Sequence, residues 1–427
     1  MSIHDKNLRK FNLLDSTWPK FRANLQNTGQ SSSGEIPKTI SNAIKISIGK
    51  IIHEPVIGPN QKIYVINENN KLYILDLNGM IIEEIEIPKH PSCPIFLSDD
   101  TFYLTAIGKV QHYNSMGEII WERFIDGIPT NITINSKGII YFAAHSFDWA
   151  GLYAYTANGD RVFDIPLKKP FNIRAHGLGA SFSAPTLTYD ESIIIAFRFF
   201  STYTWDPEEG PEPEHQYVCY CIDPDGTKLW TFKSSQLSLW RPFFPIITDE
   251  NMVLATFCNQ LLSFNEGGQT SNWTLNYFDE IKDTDYKILE EQIESNKISF
   301  FNFTGYPTYN AESKEFYCRL AGFSRVLSSE PSSHPPPVEV GSIYIIHSDF
   351  QLKNKMKYRT PLNLTTDLAI DQVGNLCGGG VNGILILTPT CDLIFSYDLS
   401  SRIKYCIIGP KKTIICSDDS KNLYILK

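Results

Sequence analysis

The chain lacks any apolar run approaching the length of a membrane span, and its opening residues, MSIHDKNLRKFNLLD, carry charges with no apolar stretch behind them. These absences exclude a helical membrane protein and set the expectation of a soluble, cytoplasmic chain. P-loop, dinucleotide-binding glycine fingerprint, His-Glu-x-x-His pair and nucleophile elbow are all missing. No catalytic residue can therefore be assigned. The nine cysteines are odd in number, scattered and never adjacent. Most sit in apolar strand patterns, such as Cys258, Cys318, Cys377, Cys406 and Cys416, and read as buried thiols. Cys219 and Cys221 share one face of one strand, but no second Cys or His pair gives them metal-ligand spacing, so no metal and no cofactor is expected. A net charge of −9 argues against nucleic acid or an anionic membrane as partner.

What the chain does have is repetition. Tyr217 to Phe232, YVCYCIDPDGTKLWTF, reads as a strand, a turn over Asp223–Gly226 and a second strand. Copies follow the same plan at Leu72 to Ile87, Val110 to Phe124, Leu152 to Ile165 and Leu261 to Leu275, with Gly79, Gly117, Gly159 and Gly268 in their turns. Upstream of each copy lies another strand pair, usually opening on a proline: Pro55, Pro94, Pro129, Pro185, Pro245 and Pro307. Degraded units begin near Asp367 and Arg402. About eight four-stranded units with a period of roughly 35 to 60 residues predict an all-β, eight-bladed β-propeller, with seven blades as the alternative. The chain of 427 residues is then one domain, because radial blades bury apolar surface between neighbours. Asn42 to Gly49 alternates like a strand but belongs to no complete unit, and Ile403 to Lys427 supplies only three strands. The amino-terminal strand is expected to complete the carboxy-terminal blade and close the ring.

Residues 1–17 read as a polar lead and residues 18–50 as an entry segment with the closing strand. Trp18, Phe21 and Arg22 form an unusual cluster for a tail, and Trp-Pro-x-Phe-Arg followed by Thr28-Gly29-x-Ser31 resembles the entry segment of PQQ-like repeat β-propellers. That group includes the outer-membrane assembly lipoprotein and the quinoprotein dehydrogenases. The family's Ala-x-Asp-x-x-x-Gly-x-x-x-Trp element is matched by Asp223, Gly226 and Trp230, and in part by Asn114, Gly117 and Trp121; Asp76 and Gly79 match with no tryptophan following. The quinoprotein enzymes carry calcium, a catalytic carboxylate and a disulfide between adjacent cysteines. This chain has no adjacent cysteine pair, so cofactor binding is not carried over.

Length is added unevenly. Insertions at 166–184, 204–215, 233–244, 276–306 and 328–340 fall between one blade and the next or between a blade's second and third strands. Antiparallel order puts both kinds of connection on one face. Loops of this length are uncommon in compact domains and frequently carry function, so the decorated face over blades three to six is the expected working surface. It holds His145, Trp149, Arg174, His176, Arg198, Trp205, Trp240, Arg241 and Tyr306 as candidate binding residues. Asp279 to Glu294 reads as a short amphipathic helix, and 206–214 and 328–337 as proline-rich loops. The first functional expectation is a non-catalytic scaffold that grips a protein or peptide. The alternative is a small-ligand binder or enzyme, a lyase or hydrolase, using a funnel on the same face with His145, His176, Arg174, Arg198 and Arg241. His53 and Glu54, adjacent on a strand, are expected to point apart, and Gly378–Gly380 to mark a strand bend or loop.

Overall fold

The computed structural model describes residues 13–24, 26–31, 34–146, 150–167, 178–201, 215–234, 244–257, 260–265, 267–274, 300–323, 338–347, 357–359 and 364–427. Alternating β-branched and aromatic segments separated by Asx and glycine turns fold into eight separate antiparallel sheets of four or five strands, here numbered one to eight in chain order. Sheet one is Val56–Ile57, Ile63–Ile66, Lys71–Leu75 and Ile81–Glu86, each strand paired with the one before. Sheet eight departs from that order. Its last strand is Ala43–Ser47, which pairs antiparallel with Asn422–Leu426 in the register Ala43↔Leu426 to Ser47↔Asn422. The two ends of the chain thus share one sheet, as the unmatched fragments predict.

Apolar side chains link each sheet to its neighbours. One cluster joins Ile57, Ile63 and Val65 of sheet one to Ile407, Ile415 and Ile425 of sheet eight and Ile384 and Ile386 of sheet seven. Others join sheet one to two, sheets two to four, and sheet four to five. A turn lock recurs beside these clusters. In units two to five the turn between the third and outer strands presses on the outer strand of the unit before it: Gly117 on Ile85, Gly159 on Trp121 and Arg123, Gly226 on Phe163 and Ile165, Gly268 on Trp230. The Trp121 indole N–H donates to Ala157 O at 2.7 Å, and Arg123 Nε donates to Gly159 O at 2.7 Å. This explains why glycine and tryptophan recur together: the glycine of one unit makes room for the tryptophan of the previous one. Gly79 of sheet one makes the same contact with Ile44 and Ile46 of sheet eight.

The entry segment runs against the first strands of the sheets rather than along the outside. Trp18 O accepts from Ile57 N at 2.8 Å, Pro19 O from Phe96 N at 3.0 Å and Gln26 O from Ile247 N at 3.1 Å. Thr28 O accepts from Tyr309 N at 3.0 Å and Gly29 O from Ile370 N at 2.9 Å, while Gln26 Nε2 donates to Leu187 O at 3.3 Å. Each partner is the last residue of a first strand, or in sheet six the last but one, so the entry segment ties sheets one, two, four, five, six and seven at one level.

The insertion boundaries need correction, since each of the five ranges has at least one edge in a strand. Within 166–184, Leu178–Phe182 is a strand paired with Phe197–Ser201, and within 276–306, Phe300–Tyr306 belongs to the strand Phe300–Asn310. Periodicity there is masked by glycine and by mixed polar residues, while pairing to a long neighbour supplies the missing hydrogen bonds. Val338 and Val340 likewise lie in a strand, Val338–His347. The expected helix at 279–294 and the proline-rich loops lie outside the described residues. Gly378 and Gly379 are strand residues; a Cβ on Gly379 would lie 2.4 Å from Ile403 Cγ2 of sheet eight, and one on Gly378 2.8 Å from Leu368 Cδ2, so close packing accounts for both.

The lock predicts a specific sensitivity. Gly159 has φ +78° and its added Cβ would sit 2.9 Å from Trp121 Cδ2, so Gly159→Ala should destabilise by about 1–3 kcal/mol. Urea unfolding of the two proteins measures it, and equal midpoints would refute the packing role of the turn.

Candidate functional site

Residues in or just before the first strands are linked in a partial ring: Glu54, Tyr306, Asp367 and Tyr405 of sheets one, six, seven and eight, and Cys93, Asn131 and Ala184 of sheets two to four. They stand at the opposite end of the first strands from the backbone ties of the entry segment, on the side of the inserted connections. Trp18, Phe21 and Arg22 reach up into this ring from below.

Arg22 is the centre of the cluster. It is 1 % exposed, and its backbone N–H and the Trp18 indole N–H both donate to Glu54 Oε1, at 2.8 and 2.6 Å. Its guanidinium donates to Leu368 O at 3.3 Å, Pro307 O at 3.2 Å and Thr308 Oγ1 at 2.9 Å, and lies 3.9 Å from Asp367 Oδ2. Arg319 approaches the other oxygen of Asp367 at 3.9 Å and donates to Leu364 O at 2.9 Å. The planar fork of arginine suits this task, since one side chain meets two sheets and a carboxylate at once. Gly29 must be glycine beside it: a Cβ there would be 2.4 Å from Arg22 Nη2.

Burial shifts the neighbouring groups. Desolvation raises the Glu54 carboxyl, opposed by Arg22 and the Trp18 hydrogen bond. Burial also lowers the Lys20 ammonium to about 7, against three acceptors suited to a charged amine: Phe21 O, Asn24 O and Asn27 Oδ1 at 2.8, 3.0 and 2.8 Å. His53 and Glu54 lie just before the first strand of sheet one rather than in it; His53 hydrogen-bonds the Pro91 carbonyl, and desolvation lowers it to about 4. In sheets two, three, four and seven the equivalent position is Ser92, Thr130, Ser183 or Thr366. Each of those hydroxyls accepts the N–H of the residue 13 places on, Thr105, Ala143, Ala196 or Gly379. His53 thus stands where the other units keep a strand-bridging hydroxyl.

Of the candidate residues, Tyr306 belongs to this cluster. It is 8 % exposed, its ring meets Phe21 edge-on with centroids 5.2 Å apart, and its hydroxyl accepts from Ala184 N at 3.4 Å. Its N–H donates to Asp367 Oδ2 at 3.2 Å, and burial raises its phenol. His145 ends the second strand of sheet three, opposite Ile128 and Ala150, half-buried and lowered by desolvation. Arg198 lies in the second strand of sheet four, opposite Ser181 and Tyr217. Trp149, Arg174, His176, Trp205, Trp240 and Arg241 lie outside the described residues. Arg319 and Asp367 were missed from the sequence. Aligning Asp367 with Glu54 by their place before the first strand is the signal that finds one of them; nothing local marks Arg319. Among the described residues there is no group of three His, Cys, Asp or Glu side chains placed to hold a metal ion, and no helix long and apolar enough to cross a membrane.

The hub generates two expectations. Arg22→Met takes one of two guanidiniums from Asp367, one of two donors from Leu368 O and the donor from Pro307 O, and should cost about 3–5 kcal/mol, with Arg22→Lys failing to restore it because the fork is lost; chemical denaturation of both variants tests this, and wild-type stability in either would refute it. His53 is held at about 4 against an ordinary 6.5, so the unfolded chain takes up a proton in that window that the folded chain refuses. Stability contributed by neutral His53 is therefore lost as pH falls from 6.5 to about 4. Relative to His53→Ser, the wild type should lose up to roughly 3 kcal/mol across the window; a pH-independent difference would count against the half-buried, neutral imidazole.

No family model matches this chain, and no curated protein matches it. Among solved structures, BamB from Moraxella catarrhalis superposes with a TM-score of 0.54 at 11 % identity, covering 91 % of this chain and 100 % of that one. A streptogramin B lyase (TM-score 0.44, 12 % identity, 90 % of this chain and 97 % of that one) and the WD40 propeller domain of Doa1 (TM-score 0.40, 9 % identity, 91 % and 96 %) are more distant. Identity at this level speaks to fold alone, and it joins the repeated four-stranded sheets and the turn locks in one conclusion: the chain has a β-propeller fold.

Proposed function

We propose that the eight sheets are the blades of a closed eight-bladed ring and that the protein is a non-catalytic scaffold, gripping a protein or peptide on the face that carries the inserted connections. The observation that carries this reading is the one-sided lengthening of two blades. The first three strands of sheet six run 11, 9 and 10 residues, against 2, 4 and 5 in sheet one. The added pairs, Phe300↔Phe323 to Thr304↔Arg319 and Leu178↔Ser201 to Phe182↔Phe197 in sheet four, extend past the ring of Glu54, Tyr306 and Asp367 toward the same face. Two raised walls then stand over a floor packed by the entry segment. The described candidates His145, Arg198 and Tyr306 come from three different sheets, an arrangement that suits contact along an extended partner. A buried floor whose charges are spent on one another, Arg22 and Arg319 on Asp367, also favours contact at the walls.

The test compares immobilised wild type with a Trp149→Ala, Arg174→Ala, Trp240→Ala, Arg241→Ala variant of equal melting temperature, each exposed to lysate of the source cell. A protein retained by the wild type and lost by the variant is the expected result. Equal retention by both would remove the decorated face from the reading, and no retained protein would remove the scaffold itself.

A further inference from the structure

Sheets seven and eight approach most closely where Gly379 meets Ile403. Ile403 N donates to Gly380 O at 2.9 Å, and the Thr365 hydroxyl donates to Ile403 O. Next to this contact Cys377, in the strand Leu376–Gly379, faces Cys406, in the strand Ile403–Gly409, with the sulfurs 3.2 Å apart. Both side chains are buried, at 0 % and 5 % exposure. Cys416 lies directly across the ladder from Cys406 and is also buried. Three thiols thus meet at one inter-sheet contact, and no other described pair of cysteine sulfurs is in hydrogen-bond contact.

We propose that Cys377 and Cys406 are an oxidative modification site, closing to a disulfide that staples sheet seven to sheet eight. The oxidant is a peroxide. One thiol sulfur attacks the peroxide, the O–O bond breaks, one water leaves and a sulfenic acid remains; the second sulfur displaces its hydroxyl as another water, forming the S–S bond. The sulfur pair gives up two electrons and the peroxide accepts them. Sulfurs already in contact need move together by only about 1 Å to reach bonding distance. The consequence lies in the sheet that is stapled. Sheet eight holds both ends of the chain through Ala43–Ser47 and Asn422–Leu426, so the bond ties the joint between the chain ends to the preceding blade. Burial sets the pace: desolvation holds the Cys377 thiol well above its ordinary range, and only the thiolate attacks, so closure is slow at neutral pH and faster in base.

Full-length protein is treated with hydrogen peroxide, unfolded in denaturant with free thiols blocked, and mapped by mass spectrometry without reduction. The expected product links the Cys377 and Cys406 peptides, and the titratable thiols fall from the nine of the sequence by two per molecule. The Cys416→Ala variant should still form the link, Cys406→Ala and Cys377→Ala should not, and the oxidised wild type should melt higher until dithiothreitol is added. Circular dichroism of each variant confirms that it is folded. A Cys406 to Cys416 link, oxidation of single cysteines to sulfinic acid, or nine thiols surviving a dose that oxidises the urea-unfolded chain would each overturn the proposal.

Discussion

The structure depends on satisfying the backbone of the entry segment. Residues 18–29 have no strand of their own, and buried peptide groups without partners cost about as much as lost hydrogen bonds. Their carbonyls are met by N–H groups at the ends of first strands in five sheets, and Gln26 adds a side-chain bond to a sixth. To reach them the chain adopts positive φ at Arg22, Ala23, Asn27 and Gly29. The segment is held in that path only by the sheets, and the sheets converge on one level only through the segment. Blades that otherwise touch only neighbours thereby gain a shared contact, and stability ceases to be a sum over adjacent pairs.

Charge is buried on the same axis because geometry leaves it no other partner. Glu54 accepts from Trp18 and Arg22, and Arg22 in turn reaches Asp367, Leu368, Pro307 and Thr308, so one arginine ties sheet one to sheets six and seven. A buried ion network of this kind adds little net stability over an apolar core of equal volume, but breaking it strands several charges at once. Its effect is to fix which sheet meets which. The same saturation limits what the floor can offer a ligand and shifts the expected contacts outward to the walls of sheets four and six.

Much of the fold was legible because the repeat is local. Turn glycines, strand alternation and the tryptophan after the turn lie within about 16 residues of one another, and Ala43–Ser47 was identifiable as the missing strand because every other unit was complete. The hub was legible only in outline. Trp18, Phe21 and Arg22 stood out as an apolar and cationic cluster after a polar lead, whereas Asp367 and Arg319 carry no local mark; Asp367 takes its role from Arg22, more than 300 positions away, and Arg319 takes its role from Asp367 in the next sheet. The walls were misread for a related reason. Leu178–Phe182, LGASF, has neither alternation nor β-branching, and it is a strand because Phe197–Ser201 runs beside it.

The turn lock also operates where sheet eight meets sheet one. Across sheets one to five the lock needs only a glycine in the later turn and a large side chain on the earlier outer strand, and the chain supplies both in order. At the joint the earlier outer strand is Ala43–Ser47, which comes from the other end of the sequence, yet Gly79 meets Ile44 and Ile46 as Gly117 meets Ile85. Isoleucine there is smaller than the tryptophan used at Gly159 and Gly268, and the deficit is offset by the cluster that packs Trp18, Ala23 and Ile36 of the entry segment among sheets one, seven and eight. The joint is therefore held by two devices, one shared with sheets two to five and one that only the entry segment can provide. Losing the segment would remove the floor and the second device together, which is why the joint and the candidate site belong to the same residues.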